Sequence, residues 1–182
     1  MKPLPTKYNG TTFRSRTEAR WAVFFTNLNW EWTYENQGYE LETGGHYLPD
    51  LEIRLPNNDE YFVEVKPDDF DKFEQEEYMD KLQRFTTEAG KSLLILDGNP
   101  SCKPFDLVCH LHEGRTLGCV FLQDYEPYLR WIDEYWMGYL KLEPSTGRFF
   151  TVHRDDERMQ RKSFGRKYVE SLKAAKAERF GI

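Results

Sequence analysis

The alternation of apolar and polar positions is sharpest between Tyr47 and Lys66, which reads YLPDLEIRLPNNDEYFVEVK. Leu51, Ile53 and Leu55 alternate with Asp50, Glu52 and Arg54, the period of two that a β-strand imposes because successive side chains leave opposite faces. Tyr61, Val63 and Val65 alternate in the same way with Phe62, Glu64 and Lys66. Pro56, Asn57 and Asn58 lie between the arms and are turn formers, so the stretch predicts a β-hairpin with one apolar and one charged face. For Asp50 and Glu64 to be cross-strand neighbours on one face, the numbers of paired positions must sum to 114, an even value. A two-residue turn at Asn57-Asn58 would give an odd sum and send the carboxylates to opposite faces. The pattern therefore calls for a three- or five-residue loop, or a bulge.

The flanking segments supply further elements. Ser15 followed three residues later by Glu18 is a capping box, predicting a helix that runs to about Asn27 or Leu28. Ala22 and Phe25 continue the face that carries Glu18, so that glutamate points toward the sheet; capping the first turn is its purely structural alternative. Glu31 to Leu41 reads as a strand with Trp32 and Tyr34 on one face and a break at Gly38, and Gly44-Gly45 as the turn into the hairpin. Pro67 ends the second arm. Phe70, Phe73, Met79, Leu82 and Phe85 mark a helix over about residues 69–88. Lys91 to Asp97 is an apolar run suited to a strand buried on both faces, parallel to the Glu64 strand because a helix crosses between them.

Helix, three antiparallel strands, helix, strand is thus the expected order of an α/β core over residues 1–98. Residues 99–182 read as a C-terminal extension packed on that core. Phe105 to His112 can pair with Thr116 to Leu122, and Tyr139 to Leu142 with Arg148 to Val152, as hairpins. Trp131, Tyr135, Trp136 and Tyr139 fall near helical spacing and suit a core or subunit contact better than base stacking. Lys162 to Phe180 predicts a basic amphipathic helix with Tyr168, Leu172, Ala175 and Phe180 near one face.

The length of 182 residues suits one domain, with room for an appended subdomain. The polar, proline-containing start and the lack of a long apolar run predict a soluble cytoplasmic protein with no membrane contact. Cys102, Cys109 and Cys119 form no CxxC pair, which argues against a disulfide framework. With His110 and His112 they invite a zinc reading, but the paired knuckles of structural zinc are missing and buried thiols are preferred.

The net charge of −6 argues at first against nucleic acid. Its distribution reverses that reading. Residues 1–20 hold five basic residues and one acid, and residues 151–182 hold nine and five, so two segments of +4 flank a middle of −14. Basic ends can grip phosphates at a rim while central carboxylates are kept for a cation, although a plainly solvated surface is the simpler alternative.

Asp50, Glu64 and Lys66 on one strand face could likewise be a half-solvated surface. What makes the grouping chemically useful is a hard cation, which takes oxygen ligands from carboxylates and a backbone carbonyl and keeps water elsewhere. Asp50, Glu64 and the carbonyl of Val65 can supply these, and Lys66 can orient or polarise an attacking water. That layout suits cleavage of a phosphodiester.

Pro49-Asp50, thirteen intervening residues and then Glu64-Val65-Lys66 resemble the PD-(D/E)XK signature of the restriction-endonuclease-like nucleases. FRSRTEARWAVFF resembles the first helix of nucleases from phages and mobile elements. The Phe13-Arg14-Ser15-x-x-Glu18 opening, WxYE at Trp32 to Glu35 and the closing AKAERF are similar to phage junction-resolving endonucleases. Over about residues 8–98 the resemblance implies a restriction-endonuclease-like core and a metal-dependent DNA endonuclease using Mg²⁺ or Mn²⁺. It implies metal ligation by Asp50, Glu64 and Val65, a second ion or its water at Glu18, and assistance to the nucleophile by Lys66. DNA is the implied partner, with Arg14, Arg16, Lys162, Arg166 and Lys167 as candidate phosphate contacts. A homodimer is a further candidate assembly, and a phage-encoded protein would act in the host cytoplasm. Two departures are Pro67 where glycine often follows the catalytic lysine, and Leu51 where an aromatic often follows Pro-Asp. The alternatives are a structure-selective Holliday-junction resolvase and a catalytically silent phage factor that binds DNA or protein.

Overall fold

The computed structural model describes residues 4–42, 44–67, 76–101, 105–112, 115–123, 135–142, 149–153 and 165–180, with side chains for 4–42, 44–67, 77–101 and 165–180. The chain is mixed α/β. Its central hairpin pairs β6 (Leu51–Arg54) with β7 (Glu60–Lys66), Leu51 opposite Val63 and Arg54 opposite Glu60, which is the even register the two carboxylates require. The turn explains it. Asn58 N–H donates to Leu55 O at 2.9 Å and Leu55 N–H to Asp59 O at 2.8 Å, leaving a three-residue loop whose last member, Asn58, takes φ 68°. Asparagine tolerates that left-handed conformation better than most residues, and Pro56 presets the preceding turn.

The first helix, α1 (Arg16–Asn27), starts where the capping signal puts it: Ser15 Oγ accepts the Glu18 N–H at 3.2 Å. The reciprocal half of the box is shifted by one residue, because the Glu18 carboxylate accepts from Arg14 N–H. Trp21, Phe24 and Phe25 bury against the sheet, and Trp21 Nε1 donates to Gly98 O at 2.8 Å.

The strand expected over Glu31 to Leu41 is two separate pieces. β3 (Glu31–Tyr34) runs antiparallel to β6, after which Glu35 turns to φ 43° and gives its N–H to Asp50 O at 2.9 Å. That bend takes the chain out of the sheet. β4 (Tyr39–Glu40) then pairs with β5 (His46–Tyr47) in a small sheet of their own around Gly44 and Gly45. A further hairpin, β1 (Thr6–Tyr8) with β2 (Thr11–Phe13), was not anticipated; Asn9 and Gly10, both at positive φ, form its turn.

Helix α2 (Glu76–Ala89) covers the later part of the segment expected over 69–88, and residues 68–75 lie outside the described residues. β8 (Leu93–Asp97) is parallel to β7, with Glu64 opposite Ile95 and Lys66 opposite Asp97. The C-terminal half adds β9 (Phe105–His112), β10 (Arg115–Gln123), β11 (Tyr135–Leu142) and β12 (Phe149–His153). Both expected hairpin pairings are present, and β10 joins β8 in parallel, so one sheet of order β12-β11-β9-β10-β8-β7-β6-β3 spans both halves. The helical spacing read at Tyr135, Trp136 and Tyr139 is overturned, since these residues lie on β11. Trp131, Lys162 and Cys102 lie outside the described residues, while Cys109 and Cys119 are register partners across β9 and β10. The terminal helix, α3 (Gly165–Ala177), buries Tyr168 and Ala175, with Leu172 and Phe180 packed beside them, as its pattern predicts.

Two apolar layers hold this together. On one face α1 and α3 pack over Leu51, Ile53, Val63, Leu94 and Leu96; on the other, Leu82 and Phe85 of α2 pack over Phe62, Leu93 and Ile95. The charged face of the hairpin is therefore not an open surface, because α2 covers its Phe62 end. Among the described residues no helix is long and apolar enough to cross a membrane.

Candidate active site

The even register and the end of β7 bring acidic side chains out of water together. Asp50, at the entry to β6, and Glu64, within β7, are only 6% and 8% exposed, as is Glu18 of α1 at 8%. Buried carboxylates must be hydrogen-bonded or paired, and each of these is. Asp50 Oδ2 accepts Val65 N–H at 2.8 Å, and Asp50 Oδ1 accepts from Arg14 Nη2 at 2.9 Å. Glu64 Oε2 accepts from the Tyr47 hydroxyl at 2.9 Å, and its other oxygen takes Lys66 Nζ. Glu18 Oε2 accepts from the Tyr34 hydroxyl at 2.6 Å and from Arg14 N–H at 3.2 Å. Arg14 is the bridge of the group. Its guanidinium also lies 2.5 Å from Glu35 Oε1, an ion pair by distance without the alignment of a hydrogen bond.

The electrostatics follow from this crowding. Burial, then the neighbouring charge of Glu64, pushes the Asp50 carboxyl up to about 7, with Glu18 adding to the rise and the Val65 N–H and Lys66 opposing it. Burial works against the charge of Lys66, but Glu64 outweighs it and the ammonium is held above its ordinary range. Arg14 is likewise held charged despite partial burial, by Tyr34, Asp50 and Glu35. Burial and then Glu18 raise the Tyr34 phenol to about 12; burial and then Glu64 raise that of Tyr47. Both tyrosines are hydrogen-bond donors at ordinary pH.

Sequence reasoning found Glu18, Asp50, Glu64 and Lys66, and they come together. Val65 contributes through its backbone N–H, the group that bonds Asp50. Arg14, a candidate phosphate contact, is paired with Asp50 and Glu35. Arg16, Arg166 and Lys167 are at least partly exposed and take no part in the cluster's hydrogen bonds. Sequence reasoning missed the two hydroxyls. Tyr34 sits in the WxYE stretch and Tyr47 opens the central segment, but neither residue type nor spacing reveals that the hydroxyls end on Glu18 and Glu64.

No known protein family matches this chain. No curated protein and no solved structure matches it either. Among the described residues no three acidic, histidine or cysteine side chains form a ready-made cage for a metal. Magnesium does not need one, because it binds through one or two carboxylates and keeps several waters. Asp50 and Glu64 fit that demand: burial, and then the charge of Glu64, raise the Asp50 carboxyl, and a divalent ion between the two carboxylates would offset both. Bound there, the ion would supply Lewis-acid polarisation and an activated water.

Proposed function

We propose that the protein is a metal-dependent deoxyribonuclease of restriction-endonuclease-like type, hydrolysing DNA phosphodiester bonds with Mg²⁺ or Mn²⁺ held by Asp50 and Glu64. The observation that carries this reading is the convergence of those two buried carboxylates with the Lys66 ammonium at the end of β7. Structural hairpins gain nothing from that grouping, whereas phosphodiester hydrolysis needs a cation site and a fixed positive group beside it. Lys66, largely buried and bonded to Glu64, is positioned to hold a nucleophilic water or offset phosphate charge. Glu18, fixed by Tyr34 and by Arg14 N–H, keeps a second carboxylate edge near Asp50.

Plasmid, linear, single-stranded and branched DNA incubated with Mg²⁺, Mn²⁺ or EDTA tests the reading. Cleavage that requires the divalent ion supports it, and preference for four-way branched DNA would select junction resolution. A second reading is a catalytically silent DNA- or protein-binding factor. It is favoured by one observation, that Arg14 and Lys66 already neutralise Asp50 and Glu64. DNA retention without cleavage under every ion condition would support it.

A further inference from the structure

We infer that Arg14 is an internal counter-cation for Asp50 which DNA phosphate draws away, so that duplex binding and uptake of the divalent ion are coupled. The inference rests on the nuclease reading above. Its starting point is the contrast between the two partners: the Arg14 side chain is 61% exposed, while that of Asp50 is 8% exposed. The guanidinium therefore stands between solvent and a buried carboxylate. Its Nη2 sits 2.9 Å from Asp50 Oδ1, on an oxygen that a metal ion would need. Two cations cannot share that oxygen without repulsion, so the arginine and the divalent ion compete for it.

The arginine is held firmly at its root, while its exposed head makes one long hydrogen bond, from Nε to the Tyr34 hydroxyl at 3.4 Å, besides its ion pairs. Arg14 N–H is fixed by Glu18 Oε2 and by the Tyr34 hydroxyl at 3.0 Å, which anchors the backbone just ahead of α1. The head carries two ion pairs on one nitrogen, to Asp50 and to Glu35, and the second lacks hydrogen-bond alignment. A phosphate diester offers the planar fork two well-directed acceptors, which guanidinium groups favour over a shared point contact. Moving the head to phosphate trades its shared contacts with Asp50 and Glu35 for a bidentate pair, while leaving an anionic carboxylate without its cation. That carboxylate then takes the divalent ion. Without DNA, Arg14 keeps Asp50 neutralised and metal binds the site more weakly. By linkage, whatever factor DNA adds to metal affinity, metal adds to DNA affinity.

Calcium binding followed by calorimetry at mildly alkaline pH, with and without a short duplex, tests this without cleavage. Arg14→Gln is expected to bind Ca²⁺ about tenfold more tightly than wild type when no DNA is present, the low end for releasing a charge-assisted hydrogen bond on a buried carboxylate. The factor by which duplex tightens Ca²⁺ binding should fall by about the same amount. Arg20→Gln removes the same charge from α1 without touching the cluster and should leave Ca²⁺ affinity within about twofold. Arg14→Lys, which keeps the charge but not the fork, should shift in the direction of Arg14→Gln by a smaller factor, and carries the test if the glutamine variant does not fold. Equal or weaker Ca²⁺ binding by the Arg14 variants, in a protein whose wild type binds the ion, overturns the inference alone. A wild type that takes up no Ca²⁺ with or without duplex overturns both this inference and the nuclease reading.

Discussion

Asp50 is the residue whose environment decides most. Its folded-state carboxyl, at about 7, lies above the ordinary value of 3.8. A group shifted that way contributes stability that is fully present below the ordinary value and is lost as pH rises through the folded one. The metal-free protein should therefore lose thermal stability between about pH 4 and pH 7, and Asp50→Asn, which never ionises, should flatten that slope. Thermal midpoints in EDTA across the range measure it; an unchanged slope in Asp50→Asn would show that Asp50 is not the titrating group. Tyr47→Phe should cost about 1–2 kcal/mol, since the hydroxyl is buried and Glu64 loses a donor. At this scale the sequence exposed the charged residues, because alternation and a capping signal act over two to four positions. Tyr47 to Glu64 spans seventeen residues and Arg14 to Asp50 thirty-six, and bonds across such gaps have no period to read.

Among the elements, the β6–β7 hairpin does the positioning, and its loop fixes the parity. Asn58 at φ 68° is the sensitive position. Asn58→Gly should be neutral or slightly stabilising, whereas Asn58→Val should cost about 1–2 kcal/mol by forcing a β-branched residue into the left-handed region. Chemical denaturation of the two variants separates these outcomes, and equal stability would contradict the turn described. Parity was legible in advance, since it follows from strand geometry and the demand that two carboxylates meet. The strand through Leu41 was not, because Glu35 leaves the sheet for a bond to Asp50 O that no local propensity announces. The aromatic residues on β11 were misread because Tyr135 and Tyr139, four positions apart, share a face in a strand as well as in a helix. Length and flanking turns, not spacing, separate the two periods.

Across the whole molecule, one sheet carries both halves, with α1 and α3 on one face and α2 on the other. α3 packs on α1 with Tyr168 edge-on to Phe24, so Arg166 and Lys167 begin a helix whose start lies against the later half of α1. Charge reversal at Arg14 and Arg16 should weaken duplex binding in Ca²⁺ and lower its salt slope by about 0.9 for each phosphate that is no longer neutralised. Reversal at Arg166 and Lys167 should do so less, and binding titrations over a salt series measure both. The acidic middle and basic ends were legible from composition by segment; the continuity of the sheet through β10 was not, because pairing between distant strands leaves no local mark. Metal-dependent cleavage at Asp50, Glu64 and Lys66 is put to its plainest test by incubating supercoiled plasmid with Mg²⁺ and wild type, Asp50→Ala, Glu64→Ala or Lys66→Ala. The expected result is nicking by wild type that EDTA abolishes, none by the two carboxylate variants although they fold, and a loss of about tenfold to a hundredfold for Lys66→Ala. Wild-type cleavage that survives EDTA, or an Asp50→Ala protein that cuts as fast as wild type, would contradict it.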